Sequence, residues 1–173
     1  MSEPSDRTDP PAVGTEGEQL RAFLDYHRAT LQWKTAGLDA AGLSATLPPS
    51  TMTLGGLLKH MSLVEESWFS SFFLDRPMGE PWAGIPDDDP DWEWRTAADD
   101  DPDELRAMHA AAARSARDLV ADVDLDKLSA RRFRSTGEQT NLRWILLHMV
   151  EEYARHNGHA DLLRESVDGS TGE

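Results

Sequence analysis

The sequence predicts an all-α protein, a four-helix bundle with a long acidic crossover loop between helices two and three. Three observations carry this reading. Four segments of about 20 residues repeat apolar residues at three- and four-residue spacing, no segment reads as a convincing strand, and an acid-rich stretch separates the middle two helices. At 173 residues the chain fits one domain with a sizeable core. The expected organisation is a disordered acidic tail over 1–17, the helical domain over 18–168 and a flexible C-terminus over 169–173.

The first helix, near 18–38, lines up Leu20, Phe23, Leu24, His27, Leu31 and Lys34, with Gly37 and Gly42 marking its end. A loop over 40–50 holds Pro48 and Pro49. The second helix, near 54–74, starts on Thr53 as N-cap and buries Leu57, Leu58, Met61, Val64, Trp68, Phe69, Phe72 and Phe73; Pro77 and Gly79 follow it. The third, near 102–123, opens with Asp101 as cap and Pro102 in its first turn, with Asp103 and Glu104 by the positive end of the helix dipole. Its apolar side is expected to be Leu105, Met108, Ala112, Ser115 and Leu119. A connection over 124–139 leaves room for an extended piece. The fourth helix, near 140–166, is expected to be capped by Thr140.

Charge narrows the partners. The 32 acids against 17 bases give a net charge of −15, which argues against duplex DNA or an anionic membrane surface as partner. Residues 1–18 carry −4 and residues 87–104 carry −9, so the rest of the chain is close to neutral. The second acidic stretch is studded by Trp82, Trp92 and Trp94, and two readings stay open for it: a solvated connector pinned by its tryptophans, or a substrate lid. The chain has no cysteine. Disulfides, thiolate metal ligands and a cysteine nucleophile are thereby excluded, and thiol chemistry requires a thiol from outside. The N-terminus is polar and no apolar run approaches about 18 residues, so a soluble cytoplasmic protein without a membrane partner is expected.

The last helix carries the chemistry. His148, Glu152, His156 and His159 fall within an arc of roughly 80°, beside Ile145, Met149 and Leu163, which predicts an inward polar stripe. Side chains four apart lie about 5–6 Å from each other, so Glu152 and His156 can converge on one metal ion. His60, flanked by Leu57, Met61 and Val64 on the second helix, supplies a third candidate ligand; alone it reads equally as a hydrogen-bonded core histidine. Two histidines and one carboxylate would leave an open coordination position, the mark of a catalytic site. His27 and His109 read as surface or supporting residues, Glu151 as solvated, and Glu65 and Glu66 as partners for arginine.

At LLKHMSLVEESWF and LLHMVEEYARHNGHADLLRE the chain resembles the DinB-like family of four-helix metalloproteins, and more closely its mycothiol-dependent transferase branch, over roughly 18–168. The resemblance implies a metal triad of His60, Glu152 and His156, the last followed by Asn157 and Gly158. Glu152 stands where many members carry histidine, a departure that a mycothiol-dependent isomerase of the same superfamily also shows. The mixed donor set suits Zn²⁺, with Ni²⁺, Fe²⁺ or Mn²⁺ as alternatives. His148 and His159 are implied either to orient the ligands or to carry protons as catalytic residues. Mycothiol, or a relative such as bacillithiol, is the implied cosubstrate, and its thiolate would attack an electrophilic substrate in a detoxification reaction. Arg143 and Arg134, with Arg131 and Arg132, are candidates for binding acidic groups of thiol or substrate. A non-catalytic metal or small-ligand binding stress protein and a thiol-dependent isomerase are the alternatives; monomer and homodimer both remain open.

Overall fold

Side-chain caps fix where the helices begin. The computed structural model describes residues 7–86 and 88–172, so residues 1–6 of the expected tail, Asp87 of the acidic stretch and Glu173 lie outside the described residues. The described chain is all-α, with six helices and no strand: α1 (Glu16–Thr35), α2 (Ala40–Ser44), α3 (Leu54–Glu65), α4 (Trp92–Thr96), α5 (Pro102–Val120) and α6 (Leu142–Asp168). Thr15 and Glu18 form a capping box on α1. The Thr53 hydroxyl accepts from the Gly56 amide at the start of α3, and Asp101 accepts from the amides of Asp103 and Glu104 at the start of α5. Each such cap contributes about 1 kcal/mol. On α6 the cap is Asn141, which accepts from the Trp144 amide, one residue beyond the expected Thr140. That helix closes on Gly169, whose left-handed φ of 74° and N–H donated to the Glu165 carbonyl make it a glycine stop.

The structure departs from expectation in three places. First, α2 forms where a loop was expected, capped by Asp39, and α4 forms inside the acidic stretch; five residues are too few to show a helical period. Second, α3 runs on as a π-helix over Glu66–Phe73. Its wider turn suits the four-residue repeat of the buried Glu65, Phe69 and Phe73, and the carbonyls of Phe72 and Phe73 accept the amides of Arg131 and Ala130 from the connection to α6. Third, α5 buries Leu105, His109, Ala113, Ala116 and Val120, while Ser115 is exposed. Beyond Leu105 the expected stripe was one residue out of phase, because a buried histidine does not register as an apolar anchor. The extended piece of the 124–139 connection reduces to one antiparallel bridge, Leu128 with Asn141.

The two largest packing contacts join α1 to α6 and α3 to α5, followed by α3 with α4, with smaller contacts of α3 with α6 and of α1 with α5. Leu24, Leu31, Leu57, Leu58, Met61, Phe69, Phe73, Leu105, Ile145 and Met149 fill the core, each contributing roughly 1.5–3 kcal/mol on burial. A polar chain crosses that core and draws on every long helix. Arg28 of α1 donates through Nε (2.7 Å) and Nη2 (2.6 Å) to the two oxygens of Glu65 on α3. The Tyr153 hydroxyl of α6 donates to Glu65 Oε1 at 2.8 Å, and His109 Nε2 of α5 lies 2.8 Å from that hydroxyl. The Gln32 amide nitrogen, 2.7 Å from His109 Nδ1, completes the line. Because the tyrosine proton goes to Glu65, the imidazole donates from Nε2 and accepts at Nδ1 as a neutral ring. No helix among the described residues is long and apolar enough to cross a membrane.

Candidate metal centre

The spacing of α6 and the crossing of α3 bring three donors together. His60, Glu152 and His156 each offer a ligand atom, and these atoms lie within 4.8 Å of one another. Glu152 Oε2 stands 3.5 Å from His156 Nε2, long for a hydrogen bond. It is close to the edge, about 3.4 Å, of a tetrahedron of ligands on an ion with bonds of about 2.1 Å. The rings of His60 and His156 meet edge to face at 5.1 Å. Side-chain exposures of 22% for His60, 26% for Glu152 and 13% for His156 place the group at a mouth rather than in the sealed core. Burial pushes His156 down to about 4, aided by the neighbouring His60, His159 and Arg155, so its imidazole is neutral at pH 7 and keeps a lone pair for an ion. Its Nδ1 is enclosed without a hydrogen-bond partner among the described residues. The donors fit a divalent ion of the Zn²⁺ type.

The acidic stretch completes the site. Glu93 of α4, 5% exposed, places Oε1 2.9 Å from Nδ1 of His60. A carboxylate at Nδ1 fixes the tautomer with the proton there and leaves Nε2 to face an ion. Trp94 stacks on the His60 ring at 4.7 Å and 27°. The ring fits because Gly56, one helical turn before His60, has no side chain: a Cβ there would lie 2.7 Å from Trp94 Cε3. Lys59 clamps the same segment, donating to Asp100 Oδ2 at 2.5 Å and Thr96 Oγ1 at 2.9 Å while lying 4.6 Å from the Trp92 ring centroid. Sequence reasoning missed Glu93. Its signal was a carboxylate set between Trp92 and Trp94 in an otherwise solvated acidic run.

The other expected residues divide. His148 stays beside the triad, with Nε2 3.7 Å from Glu152 Oε1 and its ring stacked on Trp144 and edge-on to Trp68. His159 lies with its ring 5.6 Å from that of His156 but is exposed, so the stripe turns outward where Ala160 and Leu163 take the core face. The arginines are not brought to the triad. Arg143 pairs with Glu16 at 2.8 Å and with Asp126. Nine residues before Glu152, it projects from roughly the opposite side of α6. Arg134 is exposed in the connection, Arg131 bonds Asp75 and Ser71, and Arg132 bonds the Gly137 carbonyl. Glu65 pairs with arginine as expected, whereas His109, read as a surface or supporting residue, lies in the core bonded to Tyr153 and Gln32 and not to the triad. His27 is half-buried beside Asn157, whose amide donates to the His27 carbonyl at 3.0 Å.

Residues 19–169 match the family model described as MST, Mycothiol-S-transferase. No curated protein gives a significant match. Since the matched stretch spans most of the chain and contains every residue of the triad, the chain belongs to the DinB-like mycothiol S-transferase family.

Proposed function

We propose that this protein is a metal-dependent S-transferase, built as a DinB-like four-helix bundle, that presents mycothiol or a related low-molecular-weight thiol to an electrophilic carbon. The observation that carries the reading is the convergence of His60, Glu152 and His156 at a half-open mouth in a chain with no cysteine of its own. His60 and His156 would hold the ion through neutral imidazole nitrogens and Glu152 through its carboxylate. A divalent ion so held, Zn²⁺ by the donor set, supplies a Lewis acid that lowers a thiol pKa and makes thiolate available near neutral pH.

The chain's own residues do the remaining work. Glu93 keeps the His60 proton on Nδ1, and Trp94 covers one face of that ring and keeps water from it. His148 and His159 flank the triad on α6, and we assign them to carry the thiol proton to solvent. The sulfur–carbon bond forms as the bond to the leaving group breaks. On this reading the protein detoxifies electrophiles.

Purified protein with Zn²⁺, mycothiol and a bromobimane or chlorodinitrobenzene reagent is expected to form conjugate faster than the metal-free protein and the His156→Ala variant. Absence of a metal-dependent rate across a broad electrophile panel overturns the reading.

A further inference from the structure

A cavity of about 600 Å³ opens between α1 and α5, the two long helices that contribute nothing to the triad. It exists because the facing residues are small: Ala29 and Ala36 on one side, Ala110 and Ala113 on the other. Its walls are cationic. Arg7, Arg28, Arg114 and Arg117 line it against a single carboxylate, Asp25.

Two of these guanidinium groups are already committed. Asp25 Oδ1 accepts from Arg28 Nη1 at 2.9 Å and from Arg117 Nε at 2.7 Å, and Glu65 takes the rest of Arg28. The other two are not. Arg114 is exposed and makes no ion pair among the described residues. Arg7 lies 4.8 Å from the centroids of the Tyr26 and Trp33 rings, and its Nη1 is enclosed with no acceptor among the described residues. Aromatic faces steady the guanidinium plane, but they do not accept its edge N–H groups, and an enclosed cationic donor without an acceptor is costly. The remaining N–H groups of Arg7 form no hydrogen bond among the described residues, and Arg7 lines the cavity, so those groups are left for an acceptor there.

We propose that this cavity binds a small organic oxyanion, a carboxylate or phosphate ester, gripped through the paired N–H groups of Arg7 and Arg114 with Arg117 beside them. Guanidinium forks match both oxyanions. The alanine walls accept the uncharged part of the ligand, and the volume suits a molecule of metabolite size. The site is independent of the proposed metal centre, so the two stand or fall separately.

Calorimetric titration of the full chain with glutarate and with glycerol 3-phosphate, at matched ionic strength, tests it. Saturable binding of either probe is expected, and which one binds identifies the anion. Affinity should fall at least tenfold in Arg7→Ala and in Arg114→Ala, and should persist in His156→Ala. No saturable binding of either probe at about 10 mM overturns the proposal, as does equal binding by both arginine variants. Binding that appears only after deletion of residues 1–6, which carry Glu3 and Asp6, also overturns it.

Discussion

Glu93 Oε1 sits 2.9 Å from Nδ1 of His60, so the acidic segment reaches the imidazole that α3 contributes to the triad. The segment holds most of the excess negative charge of the chain, yet this carboxylate is buried and directed at one ring. Removing it frees the ring to rotate and to move its proton. Glu93→Ala is expected to weaken Zn²⁺ binding about 10–100-fold in a chelator competition, with Glu93→Gln less affected because its amide oxygen still accepts from Nδ1. Unchanged affinity in Glu93→Ala would show that His60 is oriented by other contacts.

Gly56 tests the same docking from the helix side. Alanine there is favoured by helix propensity by about 1 kcal/mol. Its Cβ would press on the rigid Trp94 ring at 2.7 Å, an overpacking that costs roughly 1–3 kcal/mol. Gly56→Ala should lower the urea midpoint and alter the near-ultraviolet circular dichroism of the tryptophans. A gain in stability would contradict the close approach.

The polar chain across the core makes a larger prediction. Glu65→Ala leaves the buried Arg28 charged with only the half-exposed Asp25 as its partner, and should cost about 3–5 kcal/mol by denaturant unfolding. Tyr153→Phe removes one donor to Glu65 and one acceptor for His109, for roughly 1–3 kcal/mol. A loss below 1 kcal/mol for Glu65→Ala, roughly the surface range, would mean that the pair is solvated.

Acid should destabilise the protein through His109. Burial pushes this imidazole down to about 4, whereas an unfolded histidine titrates near 6.5. Between those values the unfolded chain takes up a proton that the folded chain refuses. The contribution is therefore complete above about pH 6.5 and is lost as pH falls toward about 4, by about 3 kcal/mol. His156, lowered in the same direction, adds to the same window. Urea unfolding at several pH values should show this slope in wild type and a shallower one in His109→Gln. Equal slopes would exclude His109 as a source.

Local chemistry made much of this legible. Thr53 and Asp101 act as caps because their reach to amides two or three residues ahead is a property of the sequence itself. Glu152 and His156 were readable together because a four-residue spacing on a helix fixes their separation. Contacts between distant residues were not readable. Glu93 meets His60 across 33 residues of chain, and only the fold decides which carboxylate of an acidic run turns inward. On α5 the deciding fact was a hydrogen-bonded chain that lets His109 lie in the core, so a hydropathy pattern put the stripe one residue away. Arg143 sits on the wrong side of α6 for the role expected of it, paired with Glu16 and Asp126 near the start of that helix.

The proposed catalysis rests on one ion held by His60, Glu152 and His156. Elemental analysis of the purified protein against His60→Ala, Glu152→Ala and His156→Ala, each checked for helicity, tests it most directly. About one divalent metal per wild-type chain is expected, and its loss from every variant. Metal retained in all three variants would contradict it.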